Sequence, residues 1–406
     1  MKKSFFAAAQ LLVNHTCGTG AVITVLLMLA ATSLKASDYT HLHEFAYFAD
    51  PDDNYPGPGE AREACGLVLS GQTLYGAVWG DGRNGDDVVY KVNVDGSGFS
   101  ILHVFKGYDG ATPYPQLALS GNTLYGVTLE GGTLGQGIVY KINTDGTGFT
   151  NVYNFKHDYN SRPGGQLVVS GKTLYGTTYG RGTGGAGIVF RVNTDGSDIT
   201  TLHHFTHLGT GAENDGLDPE CVVMSGNALY GTTAAGGKAE DGTIFRVNID
   251  GTGYADLHDF TDASNEDGDG AFPGLVVSGN TLYGTVYKGG AGNYGAVFQI
   301  NTDGTGYTNI YSFGHSDGHN PYGGLLLVGQ RLYGTTLHGG DYNKGTLFEI
   351  GTDGAGFKTI YHFNGKDGEF PKGTLVSSGK TLYGTTESEG TNGIGATVFA
   401  LTLPPL

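Results

Sequence analysis

The hydrophobic positions of this chain fall in short apolar runs separated by glycine-rich turns, and the same order of runs returns along its length. In one copy the runs occupy positions 67–69, 73–78, 88–93 and 99–105. Ser-Gly joins the first run to the second, and Asp95-Gly96 joins the third to the fourth; both are tight-hairpin signals. Four short antiparallel strands per copy are therefore predicted. Alternation within the runs is weak, as expected for strands that are buried on both faces.

The copies are marked by the tripeptide Leu-Tyr-Gly. It begins at Leu74, Leu124, Leu174, Leu229, Leu282, Leu332 and Leu382. A period near 50 residues with four strands per unit is typical of a β-propeller blade. Six sets of strands run from Gly66 to Phe363, and a seventh, at 374–403, has three strands. The run at 39–45 matches the missing fourth strand. We therefore predict an all-β, seven-bladed β-propeller with four antiparallel strands per blade, in which the N-terminal strand completes the last blade.

Two internal features of the repeat are predicted to be structural. Gly76 and its equivalents are expected where neighbouring sheets crowd, because glycine leaves space there. One fourth-strand position is His or Tyr in every copy, which indicates a structural hydrogen bond and not a catalytic histidine. Its members are His43, His103, Tyr153, His203, His258, Tyr311 and Tyr361.

The repeat resembles the bacterial GloVer tandem-repeat family over residues 39–403. The motifs that carry the resemblance are Leu-Tyr-Gly-Thr-Thr, a following Gly-Gly, and then Val-Phe-x-Val-Asn-Thr-Asp-Gly. The period and the Gly-Gly after the second strand also look kelch-like. The resemblance implies an exported propeller, and it carries no activity or site residue onto this chain.

The N-terminus has the features of an export signal. Lys2 and Lys3 supply positive charge, and an apolar run follows at 20–34. The run is short for a membrane span of about 20 residues. We expect a signal peptide at 1–36, with a retained N-terminal anchor as the alternative, and a single propeller domain at 37–406. Expected locations are the medium, the periplasm or the cell surface, with membrane contact only through an uncleaved leader. We expect a monomer.

Charge separates the two ends of the predicted ring. The loops between strands one and two and between strands three and four hardly vary, and they form what we call the fixed end. The loops between strands two and three and between blades vary, and they form the variable end. Most of the chain's 39 acidic residues but only half of its 22 basic residues lie at the variable end, and the net charge is −17. Such a field excludes nucleic acid and favours cations or basic partners, although solubility alone also explains it.

Aromatic residues of the variable loops are candidates for ligand binding. Trp79, Tyr179 and Tyr287 occupy one equivalent position at the end of the second strand. With Tyr294, Tyr322, Tyr55 and Tyr114 they offer stacking platforms for sugars. The alternative is packing within the loops.

A histidine cluster in blade six breaks the repeat pattern. Its members are His315, Asp317, His319, His338 and Asp341. The first three lie in the loop that enters blade six, and the last two lie in that blade's loop between strands two and three. Because both loops lie at the variable end, the sequence allows a transition-metal site there, or simply solvated side chains. A second metal hypothesis is Ca²⁺ on a ring of inter-blade aspartates, each four residues before a proline, against a plain Asp-initiated turn. The members of this ring are Asp52, Asp109, Asp215, Asp269, Asp317 and Asp367. No other cofactor is expected.

The function favoured by the sequence is an exported, non-catalytic propeller scaffold that binds a protein or glycan partner on its acidic variable-loop face. The first alternative is a carbohydrate-active enzyme, a hydrolase or lyase, with a carboxylate pair on that face. Its candidate acids are Asp86 with Asp87, Glu240 with Asp241, and Glu266 with Asp267 and Asp269. Adjacent acids point in different directions, whereas glycosidases need two carboxyls across a cleft, so we expect no catalysis. The second alternative is a structural component of the cell envelope.

Overall fold

The computed structural model describes residues 38–45, 66–78, 87–156, 162–180, 185–207, 214–261, 267–268, 274–387 and 395–404. These residues form strands and turns and contain no helix. The strands build seven antiparallel sheets, which are arranged as the blades of a β-propeller. The predicted fold class is confirmed.

Each blade has four principal strands. The first strands are Val68–Ser70, Ala118–Ser120, Pro163–Ser170, Leu217–Ser225, Val276–Ser278, Leu326–Val328 and Val376–Ser378. The second strands are Thr73–Val78, Thr123–Glu130, Thr173–Thr178, Ala228–Ala235, Thr281–Val286, Arg331–His338 and Thr381–Thr386. The third strands are Val88–Asn93, Ile138–Asn143, Gly185–Asn193, Thr243–Asn248, Ala296–Asn301, Thr346–Gly351 and Thr397–Thr402. The fourth strands are Ser100–Val104, Thr150–Asn154, Thr200–Thr206, Ala255–Asp259, Thr308–Ser312, Lys358–His362 and Asp38–Glu44.

Blades two and six carry one more short strand each, Ala111–Pro113 and His319–Pro321. Both pair with the far end of the second strand of their own blade. In blades three and four this segment is continuous with the first strand and is interrupted only by a bulge. The short strand is therefore the bulged start of the first strand, and it carries residues at the variable end.

The N-terminal strand closes the ring. Asp38–Glu44 pairs antiparallel with Thr397–Thr402, and a bulge lies between His41 and His43. The fourth strand of each other blade has a bulge at the same place, for example between His103 and Ile101 opposite Val89 and Tyr90. Strand pairing thus gives the seventh sheet a fourth strand from the opposite end of the chain, as predicted.

The Leu-Tyr-Gly motif joins each blade to both of its neighbours. Leu74 is fully buried in the apolar cluster between blades seven and one, and Tyr75 is buried in the cluster between blades one and two. Adjacent residues of a strand point to opposite faces, so one motif serves two interfaces. The other six copies divide between neighbouring clusters in the same way.

The glycine of the motif makes room for an aromatic ring. Gly76 is paired across the sheet with Tyr90, and a Cβ on Gly76 would lie 2.6 Å from the Tyr90 hydroxyl. In blade five the equivalent Cβ on Gly284 would lie 2.5 Å from the Phe298 ring. The expectation of crowding is confirmed, and the crowding group is the third-strand Tyr or Phe.

The fixed Asn-x-Asp-Gly turn docks one blade on the next. Asp95 Oδ1 accepts hydrogen bonds from the backbone N and hydroxyl of Ser97, at 2.9 and 2.6 Å. These bonds lower the pKa of the exposed Asp95 carboxyl. Gly96 has φ of 83°, and a Cβ there would lie 3.0 Å from the carbonyl oxygen of Leu42 in the preceding blade. The turn is fixed because the neighbouring backbone touches it, which agrees with its interpretation as a hairpin.

The predicted signal peptide lies outside the described residues. Among the residues that the structure does describe, no helix is long and apolar enough to cross a membrane.

Candidate ligand site at the mouth of the central channel

The fourth-strand histidines and tyrosines are structural, as their recurrence predicts. His103 Nε2 lies 3.1 Å from Asp109 Oδ2, and His203 Nε2 lies 2.8 Å from Asp215 Oδ2. The same pairing joins His258 to Asp267, Tyr311 to Asp317 and Tyr361 to Asp367. Each carboxylate also accepts a backbone N–H, such as that of Lys106 at 2.6 Å for Asp109. These local bonds support an Asp-initiated turn that holds the chain between blades.

In the turn that leads to blade five, the aspartate differs from the expected one. Counting four residues back from Pro273 selects Asp269, which lies outside the described residues. The structure gives the role to Asp267, which accepts from the Thr261 backbone at 3.1 Å and lies 2.9 Å from His258 Nε2. This loop has two residues more between the aspartate and the proline, so the spacing rule fails there.

The predicted metal cluster comes together only in part. The ring centroids of His315 and His319 lie 5.3 Å apart, and those of His319 and His338 lie 5.4 Å apart. Burial lowers the pKa of His338, and the nearby His319 adds to this effect. Tyr294, which is 38% exposed, lies beside His319 with the centroids 5.4 Å apart. Tyr294 therefore lies beside the blade-six histidines, at the outer part of the variable end.

The two carboxylates of that cluster have other partners. Asp317 accepts hydrogen bonds from the Gly314 backbone at 2.7 Å and from the Tyr311 hydroxyl. Asp341 is exposed and lies 3.7 Å from His362 Nδ1. Within the described ranges, no group of three or more His, Cys, Asp or Glu side chains is arranged to hold a metal ion. The metal site stays a prediction.

The candidate carboxylate pairs are engaged in loop structure wherever they are described. Asp87 accepts from the Thr112 backbone at 2.5 Å, and Glu240 accepts from Asn214 Nδ2 at 2.8 Å. Asp267 holds the turn described above. Asp241 forms an isolated backbone bridge with Gly236. The remaining members Asp86, Glu266 and Asp269 lie outside the described residues, as do Trp79 and Tyr55.

Four tyrosines converge at the inner part of the variable end. They are Tyr114, Tyr179, Tyr287 and Tyr322, from blades two, three, five and six, and all are half-buried. The rings of Tyr287 and Tyr322 meet edge to face with centroids 6.4 Å apart. Burial raises the pKa of Tyr114 well above its ordinary range, and the charges of Tyr179, Cys221, Glu220 and Tyr322 add to the shift. Blades two and six lie on opposite sides of a seven-membered ring, so Tyr114 and Tyr322 interact across the channel axis.

Glu220 is the carboxyl joined to this set through Tyr179. It follows Pro219 in blade four, is 7% exposed, and accepts a hydrogen bond from the Tyr179 hydroxyl at 2.8 Å. Burial raises the pKa of Glu220 to about 7; the Tyr179 hydrogen bond opposes the shift, and the charge of Asp218 adds to it. Asp218 itself accepts from the Gly180 backbone at 2.7 Å. A carboxyl that titrates near neutrality therefore lies among tyrosine rings.

A polar layer closes the channel beneath the tyrosines. Gln116 Nε2 donates to Thr374 Oγ1 at 2.8 Å, and Cys221 Sγ lies 3.7 Å from Gln116 Oε1. Gln166 donates from Nε2 to the Leu117 carbonyl at 3.0 Å and from its backbone N to Cys221 Sγ at 3.3 Å. We call Gln116, Gln166, Cys221 and Thr374 the plug. Cys221 is a buried free thiol, and burial raises its pKa to about 12.

Below the plug, toward the fixed end, lies a cavity of about 470 Å³. First-strand residues of blades seven, one, two and three line it, among them Val68, Leu119 and Val376. The four tyrosines and Glu220 lie on the other side of the plug. They form the mouth of the channel at the variable end.

A lysine and a glutamate complete the mouth beside Tyr322. Lys372 Nζ lies 5.4 Å from the centroid of the Tyr322 ring and 2.8 Å from Glu387 Oε2. Lys372 follows Pro371 as Glu220 follows Pro219. Lys372 therefore already has a carboxylate partner.

Sequence reasoning missed Glu220, Lys372 and the plug. A signal was present, because the residue after the recurring proline changes from copy to copy. It is Tyr114, Gly164, Glu220, Gly274, Tyr322 or Lys372. The framework positions carry the same residue type in nearly every copy. A position that faces the axis and carries a different residue type in each copy therefore marks where the blades differ around the channel.

Three solved structures share the fold over most of the chain. An oligogalacturonate lyase in complex with manganese is 12% identical with a TM-score of 0.58, over 91% of this chain and 98% of that one. An oligogalacturonate lyase from Vibrio parahaemolyticus is 12% identical with a TM-score of 0.56, over 91% and 99%. The GH74 enzyme of Niastella koreensis is 16% identical with a TM-score of 0.54, over 84% and 54%. At this identity the likeness establishes the fold alone.

No curated protein matches the sequence. The family model described as the Gloeobacter/Verrucomicrobia repeat matches residues 65–217 and 211–399, which together span most of the propeller. The family expected from the repeat motifs is confirmed. This propeller repeat protein belongs to the Gloeobacter/Verrucomicrobia repeat family.

Proposed function

We propose that this chain is an exported, non-catalytic propeller scaffold that binds a glycan at the channel mouth. The observation that carries the proposal is the set of Tyr114, Tyr179, Tyr287 and Tyr322 at the mouth, together with Glu220, which bonds to Tyr179. Small-molecule sites combine aromatic walls with a few placed polar groups, and tyrosine offers a flat apolar face together with a hydroxyl. The mouth has both, and its acidic surroundings disfavour a polyanionic ligand.

Export is part of the proposal and rests on the N-terminal sequence. Two lysines followed by an apolar run that is too short to span a bilayer are the features of a secretory leader. An exported binding protein meets polysaccharides in the medium or the envelope. Fractionation of cells that produce the full chain tests this part: the mature protein is expected outside the cytoplasm, and a cytoplasmic full-length chain would refute export.

Glycan binding is tested with tyrosine variants at the mouth and away from it. The full chain is applied to a glycan array, and the affinity for each hit is measured by calorimetry. Tyr322→Ala and Tyr287→Ala are expected to weaken binding about tenfold, because truncating a central tyrosine costs more than about 1 kcal/mol. Tyr108→Ala and Tyr342→Ala are the matched controls, since these side chains are 72% and 60% exposed. An array without hits, or an equal loss in the controls, would refute the proposal.

The second candidate is a carbohydrate-active enzyme, and one observation favours it. Glu220 titrates near pH 7 and feels the charge of Asp218, which is the environment of a general acid beside a second carboxylate. This candidate predicts that glycans bound at the mouth are cleaved and that Glu220→Gln abolishes the cleavage. Incubation of each array hit with the protein, followed by an assay for new reducing ends, distinguishes cleavage from binding alone. Binding without new ends rejects the enzyme.

A further inference from the structure

The plug restricts how a ligand reaches the mouth. Gln116 bridges from Thr374 of blade seven to Cys221 of blade four, and these contacts close the channel below Tyr114. Gln166 fills the same level through its bond to the Leu117 carbonyl. Because these contacts span the channel from blade seven to blade four, the mouth is expected to be open to a ligand from the variable end only. It accommodates the end of a glycan or a group that projects from it.

The charge of the mouth favours a cationic end group. Glu220 is buried, and among the described residues its side chain interacts with the Tyr179 hydroxyl and the negative Asp218, neither of which is a cation. Its second oxygen, Oε1, has no hydrogen bond among those described. A buried carboxylate without a compensating cation is costly, and the cost is relieved when a cation binds. Lys372 does not serve, because it already pairs with Glu387 at 2.8 Å.

The tyrosine rings also favour a cationic ligand. The faces of aromatic rings attract ammonium groups, and the attraction grows when water is excluded. The Tyr179 hydroxyl donates a hydrogen bond to Glu220 at 2.8 Å, and the charges of Tyr179, Glu220 and Tyr322 all act on Tyr114. Tyr322 already shows this preference within the protein, since the Lys372 ammonium lies 5.4 Å from its ring centroid.

We propose that the channel mouth recognises a primary ammonium on the terminal residue of a glycan, which is an amino sugar, with Glu220 as its counter-ion and tyrosine faces around it. This inference rests on the proposed glycan-binding function and names its ligand class. Ammonium binding stabilises the ionised form of Glu220, so a proton leaves this carboxyl when the ligand binds near neutral pH. A neutral terminal sugar gains the stacking contacts only.

The experiment compares two oligosaccharides that differ only at nitrogen. Binding of a glucosamine tetramer and of an N-acetylglucosamine tetramer to the full chain is measured by calorimetry at pH 7. We expect the amine to bind about tenfold more tightly, as a desolvated cation–aromatic contact and one charge pair allow. Glu220→Gln is expected to remove this difference while leaving the N-acetylated ligand within about twofold, because the variant keeps the shape and loses the charge. Glu130→Gln, an exposed acid at the same end, is the matched control and is expected to change neither affinity.

The outcomes separate the inference from the proposed function. Equal affinities for the two tetramers, or equal losses for both in Glu220→Gln, refute amine recognition and leave glycan binding intact. Binding of a lysine peptide at least as tight as that of the glucosamine tetramer also refutes it, because the mouth would then recognise a protein side chain. A glycan array without hits refutes the function itself. Heating curves of Glu220→Gln establish that the variant is folded before its affinities are compared.

Discussion

Glu220 makes the stability of this propeller depend on pH in a direction opposite to that of most carboxylates. Burial raises the pKa of Glu220 from an ordinary value of 4.5 to about 7. The folded protein therefore holds this proton more tightly than the unfolded chain does. Ionisation of Glu220 costs the folded state nothing below about pH 4.5, and the free energy of unfolding falls as pH rises from there through 7. Glutamine at this position carries no charge at any pH and escapes the loss.

The magnitude follows from the size of the shift. One pKa unit corresponds to about 1.4 kcal/mol, so a shift from 4.5 to about 7 costs the folded state about 3 kcal/mol at high pH. Between pH 5 and 8 the wild type is expected to lose about 2 to 3 kcal/mol through this group alone. Between pH 5 and 8 the Glu220→Gln variant is expected to lose about 2 to 3 kcal/mol less free energy of unfolding than the wild type loses. It is therefore expected to be more stable than the wild type at pH 8.

Urea unfolding of the two proteins at pH 5, 6, 7 and 8, followed by tyrosine fluorescence, measures the difference. Glu130→Gln is the control for removal of an acid at the variable end, because the Glu130 side chain is exposed. The decisive quantity is the difference between the Glu220→Gln and wild-type free energies as a function of pH. A difference that stays constant from pH 5 to 8 would refute the raised pKa and the burial on which it depends.

Three further predictions concern the framework and the plug. Gly284→Ala is expected to destabilise the protein by about 1 to 3 kcal/mol in urea, because its Cβ would lie 2.5 Å from the Phe298 ring, and Phe298→Leu in the same chain should recover part of the loss. Asp215→Asn is expected to cost about 1 to 3 kcal/mol, because it weakens the bonds from His203 and the Thr206 backbone, whereas the exposed Asp341→Asn should leave the melting temperature within error. In a chain whose Cys17 and Cys65 are serine, Cys221 is expected to resist a thiol reagent at pH 8 and to react fully in urea, since burial raises its pKa to about 12; fast native labelling would contradict a closed plug.

The fold was predictable because each repeated residue has one framework task that every copy needs. Leucine and tyrosine of the motif fill opposite interfaces, glycine admits a ring, and the Asp-Gly turn touches the preceding blade. These constraints recur with the blade and leave a period in the sequence. The count of seven and the N-terminal closing strand follow from that period alone, without knowledge of any side-chain contact.

The site was less predictable because its residues meet around an axis and not along the chain. The variable aromatics led to Tyr179, Tyr287 and Tyr322, which the structure brings together, and to Tyr294, which it places with the histidines. Glu220 was missed for a local reason. Blade four has one residue fewer than blade three between the proline and the first-strand motif, but Pro219 and Pro163 pair with equivalent threonines of the second strand. The bulge therefore absorbs the difference, and Glu220 shares the position of Gly164 although its distance from the motif differs. Alignment by spacing alone therefore misassigns this position.

Asymmetry at the mouth arises from glycines as much as from the polar residues. A Cβ on Gly164 would lie 2.1 Å from the Tyr179 ring, so the ring reaches Glu220 only because blade three has glycine there. A Cβ on Gly274 would lie 2.1 Å from the Cα of Gly324, so blades five and six approach each other closely at the level of the plug. Blades two, three, four and seven instead contribute the side chains of the plug. Seven nearly equal sheets thus surround a mouth whose walls differ from blade to blade. An asymmetric ligand, such as the end of a sugar chain, fits such a mouth in one orientation.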